Sequence, residues 1–237
     1  PEVSITTNGI GLARLAEPLA DAGLTRVNVS LDTLRPERFK ALTRRDRLAD
    51  VLAGLDAARA AGLAPIKVNA LLMRGVNDDE AVDLVRWAVD AGHELRFIEH
   101  MPLDAGHTWR RDEMITGAEI LARLGEAFAL TPIAGRGAAP AERWFVDGGP
   151  GSVGVIASVT MPFCGACDRL RLTADGQVRN CLFARDESDL RGPLRAGASD
   201  EELAEIFVSC LVAKLPGHGI NEPGFLQPRR PMSAIGG

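Results

Sequence analysis

Within its first hundred residues the chain alternates four times between a short β-rich run and a longer amphipathic stretch, and this alternation constrains the fold more than any other feature. The β-rich runs are Val3–Thr7, Arg26–Leu31, Ile66–Met73 and Leu95–Met101. Helical patterning fills the gaps: Leu12–Ala22, Glu37–Leu42 leading into Leu48–Ala61, and Asp79–Ala91. Strand followed by helix, repeated, predicts an α/β fold with a parallel sheet covered by helices. Three of the helices are expected to stop at the same punctuation, Ala22-Gly23, Ala61-Gly62 and Ala91-Gly92. Glycine there supplies the left-handed backbone that ends a helix. The length of 237 residues is near the roughly 250 of a complete (β/α)8 barrel. Only four units can be counted, however, and then the pattern stops.

From residue 102 the texture changes. Pro, Gly and Trp cluster between Pro102 and Asp112, a helix is expected near Glu119–Phe128, and a loop at Gly135–Ala141. Arg143–Val146 and Val153–Val159 read as antiparallel strands. Leu170–Thr173, Asp175-Gly176 and Val178–Leu182 read as a hairpin, since Asp-Gly between strands is a strong turn signal. A helix over about Asp200–Leu215 is announced by Ser199 with Glu202 three residues on, the capping-box spacing. The tail from Pro216 is rich in Pro and Gly and is expected to be irregular. These readings divide the chain into 1–101 and 102–237.

Composition narrows the function class. With 46% hydrophobic and 25% charged residues the chain can bury a core, which excludes intrinsic disorder and coiled coil. No apolar run approaches the roughly 20 residues that cross a bilayer, and no signal peptide is evident, so the expectation is a cytoplasmic protein without a membrane partner. A net charge of −5 argues against nucleic acid as a general partner. Only three residues are Lys against 24 Arg, which makes Lys67, inside apolar Pro65-Ile66-Lys67-Val68, conspicuous. A cation in a parallel strand is costly unless it meets an anion or a wet cavity. The chain also opens on Pro1 and runs directly into a strand, so either the protein is expected to be processed there or its start is missing.

Cys164, Cys167 and Cys181 form C-x2-C-x13-C. The short spacing lets two thiolates on one turn converge, and the hairpin that follows can return the third. A redox pair usually opens a helix, and this one precedes a hairpin. A structural zinc site wants four protein ligands, with Cys210 and His218 as candidates for the fourth. Cys210, inside Ile206–Leu211, reads better as a buried thiol. Spacing alone leaves zinc and an iron–sulfur cluster open.

The segment Pro162-Phe163-Cys164-Gly165-Ala166-Cys167-Asp168-Arg169-Leu170-Arg171-Leu172-Thr173-Ala174-Asp175-Gly176, closing at Cys181-Leu182-Phe183, resembles the C-terminal cluster motif of the MoaA-type GTP 3′,8-cyclases, a radical SAM family of molybdenum cofactor biosynthesis. The resemblance extends through Thr6-Thr7-Asn8-Gly9, Val27–Asp32, Lys67-Val68-Asn69, Arg96-Phe97-Ile98-Glu99 with Met101, and Ile235-Gly236-Gly237. It implies a partial (β/α)6 radical SAM barrel, with strands three to six present, followed by an α+β C-terminal domain carrying an iron–sulfur cluster. It further implies a [4Fe–4S] cluster on Cys164, Cys167 and Cys181 whose open iron contacts guanine, and S-adenosylmethionine (SAM) as cofactor. A second [4Fe–4S] cluster is expected from a C-x3-C-x2-C segment that this sequence lacks, so a chain without that segment would not generate a radical by itself.

The family reaction uses an electron to split SAM. The resulting 5′-deoxyadenosyl radical takes hydrogen from the ribose C3′ of GTP, and C3′ attacks C8 to give 3′,8-cyclo-7,8-dihydro-GTP. Cyclic pyranopterin monophosphate synthase would act downstream, an electron donor is required, and a homodimer is implied. Carried over position by position, the resemblance implies GTP contacts at Thr6, Lys67, Arg169, Leu170 and Arg171, SAM contacts at Ser30 and Met101, and a catalytic setting for Arg96, Gly236 and Gly237. The bland alternatives are a strand threonine for Thr6, core filler for Met101, a solvated strand face for Arg169 and Arg171, a loose end for the glycines, and an ion pair of Arg96 with Glu94 or Glu99. Two other functions stay in view: a zinc-stabilised binding module without catalysis, and a radical SAM peptide-modifying enzyme with an auxiliary cluster.

Overall fold

The computed structural model describes residues 2–235, which fall into two compact units. The first takes the chain up to His100 together with Glu113–Ser158; the second takes Met101–Asp112 and the chain from Val159 onward.

The first unit realises the strand–helix alternation. Its elements are β1 (Ser4–Thr7), α1 (Leu12–Asp21), β2 (Arg26–Ser30), α2 (Pro36–Thr43), α3 (Leu48–Ala60), β3 (Ile66–Leu71), α4 (Ala81–Asp90), β4 (Glu94–Ile98), α5 (Gly117–Gly125), β5 (Leu130–Ile133), β6 (Glu142–Val146) and β7 (Ser152–Ile156). They build a seven-stranded sheet in the order β1-β2-β3-β4-β7-β6-β5. Gly23, Gly62 and Gly92 take φ of +96°, +76° and +70°, so the three Ala-Gly stops work by the left-handed turn expected of them.

Period-two alternation gives the sheet two different faces. Val27 and Val29 of β2, Val68 and Ala70 of β3, and Leu95 and Phe97 of β4 are fully buried in one core with Leu55, Ala58, Leu84 and Val85 of the helices. Each fully buried aliphatic or aromatic side chain of this kind contributes about 1.5–3 kcal/mol. Alternate positions on the same strands carry Asn28, Ser30, Lys67, Asn69, Glu94 and Arg96, and the candidate site is built from them.

One expectation is corrected here. The βα pattern does not stop at four strands: β7 pairs parallel with β4, Leu95 opposite Val153 and Phe97 opposite Val155. The segment had read as purely antiparallel because its other edge does pair antiparallel, with β6. Periodicity reports which residues face a core, not which strand lies alongside. Between α5 and β7 the chain inserts the hairpin strands β5 and β6, and Pro132 sits in β5 at the sheet's edge, where a strand tolerates a missing N–H. The helix there also starts earlier than expected, because Thr116 caps it: Thr116 Oγ1 accepts from Glu119 N at 3.2 Å, and Glu119 Oε2 accepts from Thr116 N at 2.9 Å.

Helices α1 and α3 touch through glycine. A Cβ at Gly54 would stand 2.6 Å from the carbonyl oxygen of Gly9 and 3.0 Å from Leu12 Cβ. Gly54→Ala should gain up to about 1 kcal/mol of helix propensity but lose about 1–3 kcal/mol to overpacking. Denaturant unfolding is therefore expected to show a lower midpoint with an unchanged slope. An equal or higher midpoint would mean that the two helices can part without cost.

The second unit contains β8 (Arg171–Leu172), β9 (Gln177–Arg179), β10 (Ser188–Asp189), α6 (Arg191–Arg195) and α7 (Asp200–Val212). The expected hairpin is present: β8 pairs antiparallel with β9, Leu172 opposite Val178, around Gly176 at φ +80°. Its paired ladder is shorter than the sequence suggested. Ser199 caps α7, accepting from Glu202 N at 3.2 Å while Glu202 Oε2 accepts from Ser199 N at 2.7 Å. Among the described residues no helix is long and apolar enough to cross a membrane.

Candidate functional site

In the first unit the sheet register lines up the polar positions in two rows. Thr6 pairs with Asn28, Asn28 with Lys67 and Lys67 with Glu94. One pleat further along, Ser30 pairs with Asn69, Asn69 with Arg96 and Arg96 with Gly154. Thr6, Ser30, Lys67 and Arg96, which the sequence reading proposed separately, thus share one face of one sheet.

The rows carry hydrogen bonds and ion pairs between strands. Asn28 Nδ2 donates to Thr6 Oγ1 at 3.2 Å. Lys67 is only 9% exposed; burial pushes its ammonium pKa down, and the Arg96 guanidinium pushes it further, against the attraction of Glu94. Arg96 Nε donates to Glu94 Oε1 at 2.6 Å, and Arg143 of β6 approaches Glu94 Oε2 at 3.7 Å. Of the two ion pairs considered for Arg96, the one with Glu94 forms; Glu99 instead accepts from Gly117 N at 2.7 Å. Asn69 Oδ1 is buried with no hydrogen-bond partner among the described residues. An unmet buried acceptor is uncommon and marks a position that a ligand can complete.

Beyond the C-terminal ends of β1 and β2 lies a cavity of about 210 Å³ lined by Asn8, Ser30, Asp32, Thr33, Phe39 and Arg45 among others. The loop that forms its wall is braced from behind. Asn77, fully buried, donates to the carbonyls of Asp32 and Leu71 at 2.8 Å each and accepts from Met73 N at 2.8 Å. Buried Glu80 accepts from Thr33 Oγ1 at 2.6 Å and Leu34 N at 2.9 Å. Asp32 accepts from Leu71 N at 2.8 Å, while burial holds its carboxyl above the ordinary aspartate range.

The second unit gathers the other proposed residues. Cys164 opens a 3-10 turn, Cys164–Ala166, and Cys167 follows it. The three thiols are free and half-buried. Each sulfur accepts an N–H: Cys167 from Arg169 Nε at 3.4 Å and its terminal nitrogen at 3.3 Å, Cys181 from Phe183 N at 3.4 Å, and Cys164 from the backbone of His218. Burial raises the Cys164 thiol, and the neighbouring Cys181 and Cys167 charges raise it further. Burial opposes ionisation of Cys167 too, but Arg169 outweighs it and brings that thiol down.

Arg169 also lies over the Phe163 ring at 4.9 Å. Arg171 is half-buried; burial lowers its pKa, and Cys181 and Cys167 attract it. Leu170 between them is half-buried. Among the described residues, no group of three or more His, Cys, Asp and Glu side chains is gathered closely enough to hold a metal ion. The thiols nonetheless feel one another's charge. Cys210 is buried, as expected of a core thiol, and His218 Nδ1 accepts from Ile220 N at 3.2 Å.

Met101 falls in the second unit, its carbonyl accepting from Leu103 N at 2.8 Å. Gly236 and Gly237 lie outside the described residues. Sequence reasoning missed Arg143, Asn77, Glu80 and Lys214. Lys214, just past α7, donates to the carbonyls of Arg169 at 3.0 Å and Asn180 at 2.5 Å, tying the two sides of the cysteine hairpin. Its scarcity as one of three lysines was the available signal. Arg230, left without a role, forms a bidentate pair with Asp175 at 2.9 and 2.7 Å.

Residues 1–88 match the Radical SAM superfamily, and residues 93–220 match the Molybdenum Cofactor Synthesis C family. GTP 3′,8-cyclase of Streptomyces coelicolor is 64% identical over all of this chain and 70% of its own length. GTP 3′,8-cyclase of Mycobacterium marinum is 58% identical over all of this chain and 67% of its own. A radical SAM methyltransferase structure from Sphaerobacter thermophilus overlaps 69% of this chain and 42% of that one at 16% identity and a TM-score of 0.44. The chain is a radical SAM protein. It belongs to the GTP 3′,8-cyclase family.

Proposed function

We propose that this protein serves the conversion of GTP to 3′,8-cyclo-7,8-dihydro-GTP, the first step of molybdenum cofactor biosynthesis. The observation that carries the reading is the set of thiols in the second unit: three free half-buried cysteines, each accepting an N–H, with arginines on either side. Hydrogen bonds to cluster sulfurs of this kind tune an iron–sulfur centre. Cys164, Cys167 and Cys181 would hold a [4Fe–4S] cluster with one iron left for the guanine base. SAM, when bound with its own cluster, supplies the radical that removes hydrogen from the ribose.

The chain's own residues bind and orient. Lys67 and Thr6, neighbours across one row of the sheet face, present an ammonium and a hydroxyl to GTP. Arg169 and Arg171 offer guanidinium groups, which match phosphate oxygens two at a time, and Leu170 packs between them. Ser30, at the rim of the cavity, and Met101 contact SAM. Arg96 lies one pleat along from Lys67 on the same face of the sheet, where it takes part in the catalytic setting. The 1–101 and 102–237 division puts strands β1 to β4 in the first part and the three cluster cysteines in the second.

The test is metal analysis after anaerobic reconstitution. Iron with acid-labile sulfide bound at Cys164, Cys167 and Cys181 is the expected result. Stoichiometric zinc without sulfide at those cysteines would replace this reading with a zinc-stabilised binding module.

A further inference from the structure

The polar face holds one ion pair whose geometry is built rather than incidental. Glu94 and Arg96 stand two residues apart on β4, with side chains 12% and 13% exposed. Glu94 engages Arg96 through Nε at 2.6 Å, and the terminal nitrogens of Arg96 donate to no described residue. The stem of Arg96 is seated as well. Its Cα partner across the strands is Gly154, where a Cβ would come within 3.2 Å of Arg96 Cγ and 3.2 Å of Ala141 Cβ. Ala141 is buried, so a side chain at Gly154 would press on the arginine stem, which must then give by a few tenths of an ångström.

We propose that Glu94 and Gly154 are positioning residues that aim the free fork of Arg96 at an oxyanion, either a phosphate of GTP or the carboxylate of SAM. Three cations, Lys67, Arg96 and Arg143, face this one carboxylate. Glu94 therefore neutralises part of a cationic patch that would otherwise attract an anion more strongly. It is worth that cost only if the orientation of Arg96 matters. A guanidinium held at Nε presents its two outer nitrogens in a fixed plane, the geometry that bidentate oxyanion recognition needs. The proposal rests on the reading that Arg96 faces a ligand.

Positioning and plain electrostatics predict opposite signs. Removing a carboxylate from a cationic face should tighten anion binding if charge alone acts. If Glu94 aims Arg96, Glu94→Ala should weaken it by on the order of tenfold, the size of one charged hydrogen bond. Glu94→Gln, whose amide oxygen still accepts from Nε, should bind at least as well as the native protein. Gly154→Ala should weaken binding in the same direction as Glu94→Ala.

The experiment is calorimetric titration of the anaerobically reconstituted protein with GTP and, separately, with SAM. It uses these variants, Arg96→Ala, and the Glu94→Ala/Arg96→Ala double variant. The expected result is that one ligand alone responds, which identifies the oxyanion, and that Glu94→Ala adds nothing once Arg96 is gone. Tighter binding by Glu94→Ala, additive losses, or Glu94→Gln as damaging as Glu94→Ala would each overturn the proposal. Unchanged affinity for both ligands in Arg96→Ala would show instead that the reading of Arg96 itself is at fault.

Discussion

Changing Cys164, Cys167 and Cys181 together to serine is expected to weaken GTP binding by at least an order of magnitude. Serine keeps the size of the side chain and its hydrogen bonding, but its hydroxyl is not ionised near neutral pH and is a poor ligand for iron. All three thiols are half-buried on surface turns and a hairpin rather than in the main apolar core, so the fold should survive. The readouts are iron and sulfide content, GTP affinity by calorimetry, and a melting curve as control. If affinity for GTP is undiminished in a folded triple variant lacking the cluster, the base contact is removed from the mechanism. Loss of the melting transition together with the metal would point to a structural metal instead.

The second large effect is at Lys67. Lys67→Met, close in shape, is expected to raise the dissociation constant for GTP roughly tenfold to a hundredfold, the range of a charge-assisted hydrogen bond of about 1.5–3 kcal/mol. The pH dependence separates a charge contact from packing. Burial and Arg96 hold the Lys67 pKa below the usual lysine value, so the free protein loses this charge at a lower pH than an exposed lysine would. Affinity for GTP should fall as pH rises through that lowered pKa, and Lys67→Arg, which stays charged, should flatten the fall.

The stability sign is the reverse. Between the lowered pKa and the ordinary one the unfolded chain binds more protons than the folded one, so the native protein gains stability with rising pH across that window. Lys67→Met should lose that slope. A GTP affinity that does not change with Lys67→Met would remove Lys67 from the binding residues.

The parallel sheet was legible because three amphipathic stretches ended on Ala-Gly and separated β-rich segments, all local signals. The polar face was legible too, since Lys67 and Asn69 alternate with Ile66, Val68 and Ala70 and declare two sides of one strand. Register was not. That Thr6, Asn28, Lys67 and Glu94 form one row depends on how neighbouring strands slide, which no single strand encodes. For the same reason the parallel pairing of β7 was missed, although its run of buried residues fits a strand covered on both faces. Glu80 fell inside the helical stretch Asp79–Ala91 and Asn77 just before it, and only the fold shows their side chains bracing two loops. Lys214 acts on carbonyls far from it in sequence, a contact created entirely by tertiary structure.

The hairpin inserted before β7 also bears on how the molecule assembles. Every other neighbouring pair in the seven-stranded sheet joins strands closer in sequence than β4 and β7 are. Closing that longest loop carries the largest chain-entropy cost in the sheet, whereas β5, β6 and β7 can meet as a local meander. The rate of folding should therefore follow the docking of a preformed three-strand ribbon onto the edge of β4. Trp87 on α4 and Trp144 on β6 stand on opposite sides of that event, so with Trp109 and one of the pair replaced by Phe the remaining fluorescence reports one half at a time.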